Sequence, residues 1–201
     1  DDYDNPSNAL KNLIYRLRMM LTEKGLPNRE YVVLKRGAYS WNNQLKCSID
    51  TEAFDEAYAH ARDEKNHTED ERLAHYLEAI DLYTGYFLPK SSYEEWTAPL
   101  SAYYHRIYLS CVDGAYELLM EKEAYDKIVE ICNRAIAIDR YDEGLYEMLI
   151  TALIHLEEYQ TALEVYHVIT DVLYNELGVN PSEKLRSLYQ DMMKNIKSVE
   201  M

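Results

Sequence analysis

The feature that most constrains the fold is an internal repeat, whose period of about 34 residues is typical of antiparallel helix pairs that stack side by side. The segment EAYDKIVEI at 123–131 aligns with EEYQTALEV at 157–165, and three positions are identical, beginning with Glu123 and Glu157. Two such units cannot bury a stable core alone, so the preceding sequence is predicted to supply further helices. These are expected at roughly 51–64, 69–84 and 92–119.

The second repeat also follows the tetratricopeptide (TPR) pattern of large and small side chains. The pattern calls for four large side chains and one small one. The large positions are Tyr146, Leu149, Tyr159 and Tyr166, and the small position, between the last two, is Ala162. The small residue matters because two helices pack closely only where one side chain is short. Ile128 and Ile150 stand where small residues are preferred, so the repeats are degenerate. The predicted fold is mainly α, a TPR-like stack of helical hairpins (an α–α superhelix).

Charge divides the chain into a basic end and an acidic body. The chain has 21 Lys and Arg against 36 Asp and Glu, a formal net charge of −15. Residues 1–46 carry eight basic and five acidic side chains, a net of +3, which leaves 13 basic and 31 acidic ones in residues 47–201, a net of −18. This asymmetry is typical of a nucleic-acid-facing end joined to a body with a different partner. Chance variation of a few charges in a short terminal segment is the alternative, and charge alone does not decide between the two.

The basic end contains one amphipathic helix, predicted to start at Asn5-Pro6 and to stop at Gly25 and Pro27. Helical spacing predicts a buried stripe of Leu10, Ile14, Leu17 and Leu21, widened by Leu13 and Met20. The opposite face presents Lys11, Asn12, Tyr15, Arg16 and Arg18. Such a face suits a helix that reads the major groove of DNA. An ordinary amphipathic helix with a solvated basic face is the alternative that this helix leaves open.

A basic β-hairpin is predicted directly after this helix. Its strands are expected at Tyr31–Leu34 and Ala38–Trp41, joined by Lys35-Arg36-Gly37. Runs rich in Val, Tyr and Trp around a Gly-containing turn are typical of hairpins. A helix followed by a hairpin with cations at its tip is the recognition-helix-plus-wing arrangement, in which Lys35 and Arg36 would lie over phosphates.

A helical hairpin is predicted near the carboxyl end, in LYNELGVNPSEKLRSLY at 173–189. Gly178 is expected to end one helix in the left-handed conformation. Asn180 is expected to cap the next helix, with Pro181 at its first position and Glu183 at its third.

Signals for catalysis, metal binding or membrane insertion are not found. The six glycines form no phosphate-binding loop, and the six histidines show no HExxH-like pairing. Cys47, Cys111 and Cys132 are scattered, so neither a disulfide framework nor a zinc site is predicted. The acidic, polar start of the chain is unlike a signal peptide. We therefore expect a cytoplasmic protein that is not an enzyme and has no cofactor, no metal and no membrane partner.

Two groups of segments resemble one family of regulators. NALKNLIYRLRMML with VVLKRGAYSW is similar to the last helix and wing of OmpR-type DNA-binding domains, in the version found in Streptomyces antibiotic regulatory proteins (SARPs). Gly37-Ala38-Tyr39 departs from the usual paired glycines, and Tyr15 stands where a small residue is usual. ELGVNPSEKLRSLY, IDTEAFDEAYAHAR and AIDLYTGYFLP resemble the bacterial transcriptional activator domain, the TPR-like partner of the winged helix in the same family.

The resemblance implies two domains and a function. Residues 1–46 would be the C-terminal part of a winged helix-turn-helix domain, and 47–201 the TPR-like activator domain. The implied protein is a transcriptional activator that binds DNA through the complete winged helix of a longer parent chain. RNA polymerase and a second copy of the chain are its expected partners.

A TPR-type adaptor or ligand-sensing module without its own DNA binding is the alternative from another class. If about 50–60 residues of helix- and strand-forming sequence are encoded upstream of Asp1, the DNA-binding protein is favoured, because a small domain needs about this length of chain. A start codon close by would favour the adaptor.

Overall fold

The structure is a computed structural model that describes residues 6–27 and 29–199, with the backbone alone for 197–199. It divides into two compact units, residues 1–49 and 50–201. The first unit contains helix α1 and the strands β1 and β2: Pro6–Glu23, Val32–Lys35 and Ala38–Trp41. The second contains helices α2 to α8: Asp50–Ala61, Glu69–Leu82, Thr97–Glu121, Tyr125–Ile138, Glu143–His155, Tyr159–Val172 and Glu183–Val199.

Helix α1 lies where the sequence predicts it. It begins at Pro6, whose fixed φ suits the first turn of a helix, while the predicted cap Asn5 lies outside the described residues. The helix ends before Gly25, which has a φ of 84° that glycine adopts without steric cost.

The predicted burial of the α1 stripe is wrong for this unit. No residue of α1 is buried, and Leu10, Leu13 and Leu17 are 47%, 61% and 41% exposed. One helix and a two-stranded hairpin offer too little apolar surface to cover a whole helix face, because at least three strands or a further packed element are needed for a core. The amphipathic pattern is real, but its apolar side is open.

The hairpin forms with a shift of one residue in its first strand. Val32 pairs with Trp41 and Lys35 with Ala38 in an antiparallel ladder, so Lys35 belongs to β1 and not to the turn. The turn consists of Arg36 and Gly37, with φ of 52° and 82°. Two successive residues with positive φ are the mark of the tight turn whose twist matches that of the strands.

The body confirms the predicted mainly α fold. Consecutive helices from α2 to α8 pack against one another, and α8 also packs on α6. Helices α5 and α7 begin at Tyr125 and Tyr159, so the period of the sequence repeat is also the period of the structure. Ala162 is fully buried, as a close helix crossing requires, and the larger Ile128 and Ile150 are fully buried as well.

The carboxyl-terminal hairpin differs from its prediction in one detail. Gly178 has the expected left-handed φ of 66°. The cap of α8, however, is Ser182 and not Asn180, because the Ser182 hydroxyl accepts a hydrogen bond from the backbone N–H of Leu185 at 3.2 Å. Glu183 is therefore the first residue of α8, and Pro181 lies before the helix.

Candidate nucleic-acid interface

The polar face of α1 is open to solvent. Lys11, Asn12, Tyr15 and Arg16 are all exposed, and Tyr15 is 65% exposed. Among the described residues no carboxylate pairs with Lys11 or Arg16. These side chains recur on one side of the helix, where hydrogen-bond donors and cations are available to an outside partner. The arrangement suits contacts with phosphates and base edges.

The tip of the hairpin presents two further cations. Lys35 ends β1 and Arg36 occupies the turn, and both are exposed. The base of the hairpin is better anchored, since Tyr31, Val32 and Val33 are buried. The Tyr31 hydroxyl donates a hydrogen bond to the Pro27 carbonyl at 2.6 Å. The hairpin thus has a fixed base and a cationic tip.

Arg18 differs from the other predicted contact residues, because its guanidinium is used inside the unit. One Nη atom donates to the Val32 carbonyl and lies 3.4 Å from a Glu30 carboxylate oxygen. Arg18 therefore joins α1 to the first strand of the hairpin. The sequence showed a basic residue at this position, but it could not show the partner, which lies in the next element of the chain.

A second connection that the sequence does not predict holds the carboxyl-terminal helix. Glu147 on α6 is buried, accepts a hydrogen bond from the Ser182 hydroxyl at 3.1 Å and pairs with Lys184 at 2.7 Å. Glu143, one turn earlier, accepts from the Ser182 backbone N–H at 2.8 Å. The i,i+4 spacing of the two glutamates was the only signal in the sequence. Through Ser182 and Lys184, the two glutamates dock the start of α8 on α6.

A relay of three polar side chains joins three parts of the body. The Tyr83 hydroxyl lies 3.3 Å from His105 Nδ1, and His105 Nε2 lies 2.9 Å from an Asp139 carboxylate oxygen. Burial raises the pKa of Tyr83 well above its usual range. The Tyr83 hydroxyl therefore stays protonated at neutral pH, and the relay links the residues that follow α3 and α5 to α4.

The body also contains an aromatic-lined pocket of about 260 Å³. It lies between the start of α2, the segment 82–89 and α4, and its aromatic lining residues are Phe54, Tyr83, Tyr86, Phe87 and Tyr104. Concave sites lined by aromatic side chains with a few polar groups are typical of small-molecule binding.

In the part of the chain that the structure describes, every helix is too short or too polar to cross a bilayer. All three cysteines are free; Cys47 is exposed, whereas Cys111 and Cys132 are buried.

Comparison with known proteins identifies the family. The family model described as the bacterial transcriptional activator domain matches residues 49–193. The transcriptional regulatory protein MoaR1 of Mycobacterium bovis, and the protein of the same name in Mycobacterium tuberculosis, are each 31% identical over 72 residues. That alignment covers 35% of this chain and 23% of the relative, so the chain spans about a quarter of the length of these curated proteins.

Two solved structures share the fold. The EmbR chain of Mycobacterium tuberculosis, solved in complex with a low affinity phosphopeptide, matches with a TM-score of 0.60 at 16% identity, over 94% of this chain and 50% of that one. The C-terminal TPR-containing domain of a putative FK506-binding protein from Plasmodium falciparum matches with a TM-score of 0.51 at 17% identity, over 76% of this chain and 96% of that one. At these identities the likeness concerns the fold alone, and it agrees with the TPR-like stack.

The match over 49–193 covers most of the chain, and the resemblance to SARP-type regulators predicted from the sequence is confirmed. The chain belongs to the bacterial transcriptional activator domain family.

Proposed function

We propose that the chain is part of a DNA-binding transcriptional activator. In this proposal residues 1–46 contribute the recognition helix and wing of a winged-helix domain, and residues 47–201 form the domain that recruits other proteins. The protein would act in the cytoplasm, where bacterial DNA lies, and no catalytic role is proposed for it. The observation that carries the proposal is the exposed cationic face of α1 beside a hairpin with Lys35 and Arg36 at its tip.

The proposed contacts divide by role. Lys11, Asn12 and Tyr15 would face the groove, since they are exposed on one side of α1, and the exposed Arg16 beside them would contact a phosphate. Lys35 and Arg36 would contact phosphates, because each side chain of this kind neutralises one phosphate and releases counterions. Arg18, whose guanidinium bonds the Val32 carbonyl, would hold the wing against the helix and so position the other residues.

The body is the proposed site of self-association or of contact with RNA polymerase. Six large apolar side chains are exposed between the end of α3 and the first turns of α4: Tyr86, Leu88, Tyr93, Trp96, Leu100 and Tyr103. We expect these residues, which are close in the chain, to form one patch, and exposed apolar patches are typical of protein interaction sites. The high negative charge of the body makes DNA an unsuitable partner for this surface.

The test is a DNA-binding titration with the complete parent protein and a duplex from the region upstream of its own gene. Binding is measured at several salt concentrations for the wild type and for Arg16→Gln. Log K falls as log salt rises, and loss of one phosphate contact should make this slope shallower by about 0.9. Lys127→Gln, the same charge change on an exposed residue of α5, is the matched control and should leave the slope unchanged. Equal slopes for the wild type and Arg16→Gln would remove Arg16 from the interface.

Ligand sensing by the body is the second candidate function, and the aromatic pocket favours it. In this alternative a small molecule would bind beside Phe54 and Tyr104, and residues 1–46 would have no DNA-binding role. The two functions are separated by the titration above: a parent protein that shows no salt-dependent binding to any duplex would favour the sensing module.

A further inference from the structure

Three histidines from two helices and the loop between them converge in the body. His60 lies near the end of α2, His67 in the loop that follows, and His75 on α3. One ring nitrogen from each of the three lies within 4.8 Å of the others. The ring centroids are 5.3, 4.9 and 5.3 Å apart, so the three imidazoles form a nearly equilateral triangle. The sequence does not show this cluster, because the three residues lie in three successive segments and no single helix brings them together.

We propose that His60, His67 and His75 form a binding site for a divalent transition-metal ion of the zinc type. Neutral imidazole is a preferred ligand of Zn²⁺, and three histidines with a fourth position open to water form a known type of zinc coordination. All three side chains are partly exposed, so an ion can reach them from solvent.

Carboxylates beside the imidazoles support a metal site. A Glu78 carboxylate oxygen lies 3.3 Å from His75 Nδ1, and a Glu71 carboxylate oxygen lies 3.9 Å from His67 Nδ1. A carboxylate accepts hydrogen bonds and does not donate them, so a proton on Nδ1 of His75 would face Glu78 and would leave Nε2 as the nitrogen that could bind a metal. A carboxylate on the second ring nitrogen is the usual outer partner of a metal-bound histidine, and it adds negative charge near the cation.

The loop that carries His67 is held in place without a metal. The Asp63 carboxylate accepts hydrogen bonds from the Lys65 and Asn66 backbone N–H groups and from the Asn66 side chain. At the other end of the loop, Thr68 and Glu71 form a reciprocal cap at the start of α3. Because the backbone is fixed on both sides of His67, little ordering entropy opposes binding.

Binding requires a small contraction of the cluster. Ligand atoms about 2.0–2.1 Å from a tetrahedral ion are about 3.3 Å from one another, so the nitrogens must approach by about 1.5 Å or less. Rotations of the partly exposed imidazoles can supply this movement. The bound ion would then link α2 to α3 and brace the first helix pair of the body, whether or not the parent protein binds DNA.

The test uses the 201-residue chain without a histidine tag, stripped of metal with EDTA and titrated with ZnCl₂ in a calorimeter. We expect one ion per chain with a Kd in the micromolar range or below. His67→Asn and His75→Asn should each weaken binding at least tenfold. His167→Asn, an exposed histidine of α7 outside the cluster, is the matched control and should bind as the wild type does.

A second measurement identifies the ligands. CoCl₂ should give the intense visible absorption of four-coordinate cobalt with the wild type and with His167→Asn, and only the weak absorption of six-coordinate cobalt with His67→Asn. Circular dichroism shows that each variant keeps its helix content. Equal Zn²⁺ affinity in the wild type, His67→Asn and His75→Asn would overturn the proposal, because scattered surface carboxylates would then account for the binding. Absence of a one-to-one complex would overturn it as well.

Discussion

Glu123 and Glu157, which occupy equivalent positions of the sequence repeat, hold the same left-handed backbone conformation, with φ of 54° and 61°. Each follows the last turn of a long helix. The backbone N–H after each glutamate donates to a carbonyl in that turn: Ala124 to Leu119 and Glu158 to Leu153, both at 2.9 Å. This is the helix ending in which glycine is normally found. Both units of the repeat therefore have a non-glycine residue with a strained backbone at the turn between their helices.

Replacing either glutamate by glycine should stabilise the protein. The left-handed conformation costs a residue with a Cβ about 1–2 kcal/mol. Glycine removes this cost but loses about 0.5–1 kcal/mol through its more flexible unfolded state. We expect Glu123→Gly and Glu157→Gly each to raise the free energy of unfolding by about 0.5–1 kcal/mol in urea denaturation. Glu130→Gly, the same exchange on the exposed face of α5, should lower it by about 1 kcal/mol.

Gly114 on α4 should not tolerate alanine, although alanine is the better helix former. A Cβ at this position would lie 2.4 Å from Cζ of Tyr76, which is buried on α3. Overpacking of this kind costs about 1–3 kcal/mol, more than the helix propensity of alanine returns. Thermal unfolding of Gly114→Ala should therefore occur at a lower temperature than in the wild type. In the variant Tyr76→Leu, which lacks the ring, the Gly114→Ala exchange should cost much less.

Glu147 should matter more for its hydrogen bond than for its ion pair. Lys184 is mostly exposed, so the pair is screened by water and contributes little. The Ser182 hydroxyl, by contrast, is partly buried against Glu147. We expect Glu147→Gln to cost less than about 1 kcal/mol and Glu147→Ala about 1–3 kcal/mol in urea denaturation. A Glu147→Gln variant as unstable as Glu147→Ala would show that the charge is the important feature.

The three thiols should differ in reactivity. Cys47 is exposed, whereas burial raises the pKa of both Cys111 and Cys132 to about 12 from an ordinary value of 9.0. The thiolate is the reactive form, so a disulfide reagent at pH 8 should modify one thiol per native chain and three after denaturation. Rapid modification of all three in the native state would contradict the buried positions of Cys111 and Cys132.

The same two thiols should reduce stability at alkaline pH. The pKa of each thiol is about 12 in the folded state and is expected near the ordinary value of 9.0 in the unfolded state. Well below pH 9 the thiols are protonated in both states, and the protein keeps its full stability there. Between pH 9 and about 12 only the unfolded state releases these protons. The free energy of unfolding should then fall by about 1.4 kcal/mol per pH unit for each thiol. Cys111→Ala should show a shallower decline than the wild type, measured by urea denaturation at several pH values.

Arg18 should affect DNA binding through position and not through a phosphate contact. Its guanidinium bonds the Val32 carbonyl, so Arg18→Gln should loosen the wing and lower DNA affinity in the parent protein. The slope of log K against log salt should stay near the wild-type value, in contrast to the decrease expected for Arg16→Gln. A decrease of about 0.9 in Arg18→Gln as well would assign Arg18 to the interface.

Much of the fold could be predicted from patterns that are local in the chain. The repeat of the helix pairs, the hairpin around Gly37 and the left-handed Gly178 each depend on residues close together in sequence, and each appears in the structure. The family resemblance depended on the same local patterns. The predicted cap at Asn180 was wrong because Asn180 and Ser182 can both cap a helix, and contacts from Glu143 and Glu147 on α6 hold Ser182 at that position.

Helical periodicity by itself determined which residues share a face, since that depends only on the geometry of one helix. Only the tertiary structure decided what each face contacts. It left the stripe of Leu10 and Leu17 exposed, joined Arg18 to Val32, and brought three histidines from two helices and a loop together. Such contacts join residues that are distant in the chain, and their free energy depends on packing that no local pattern encodes.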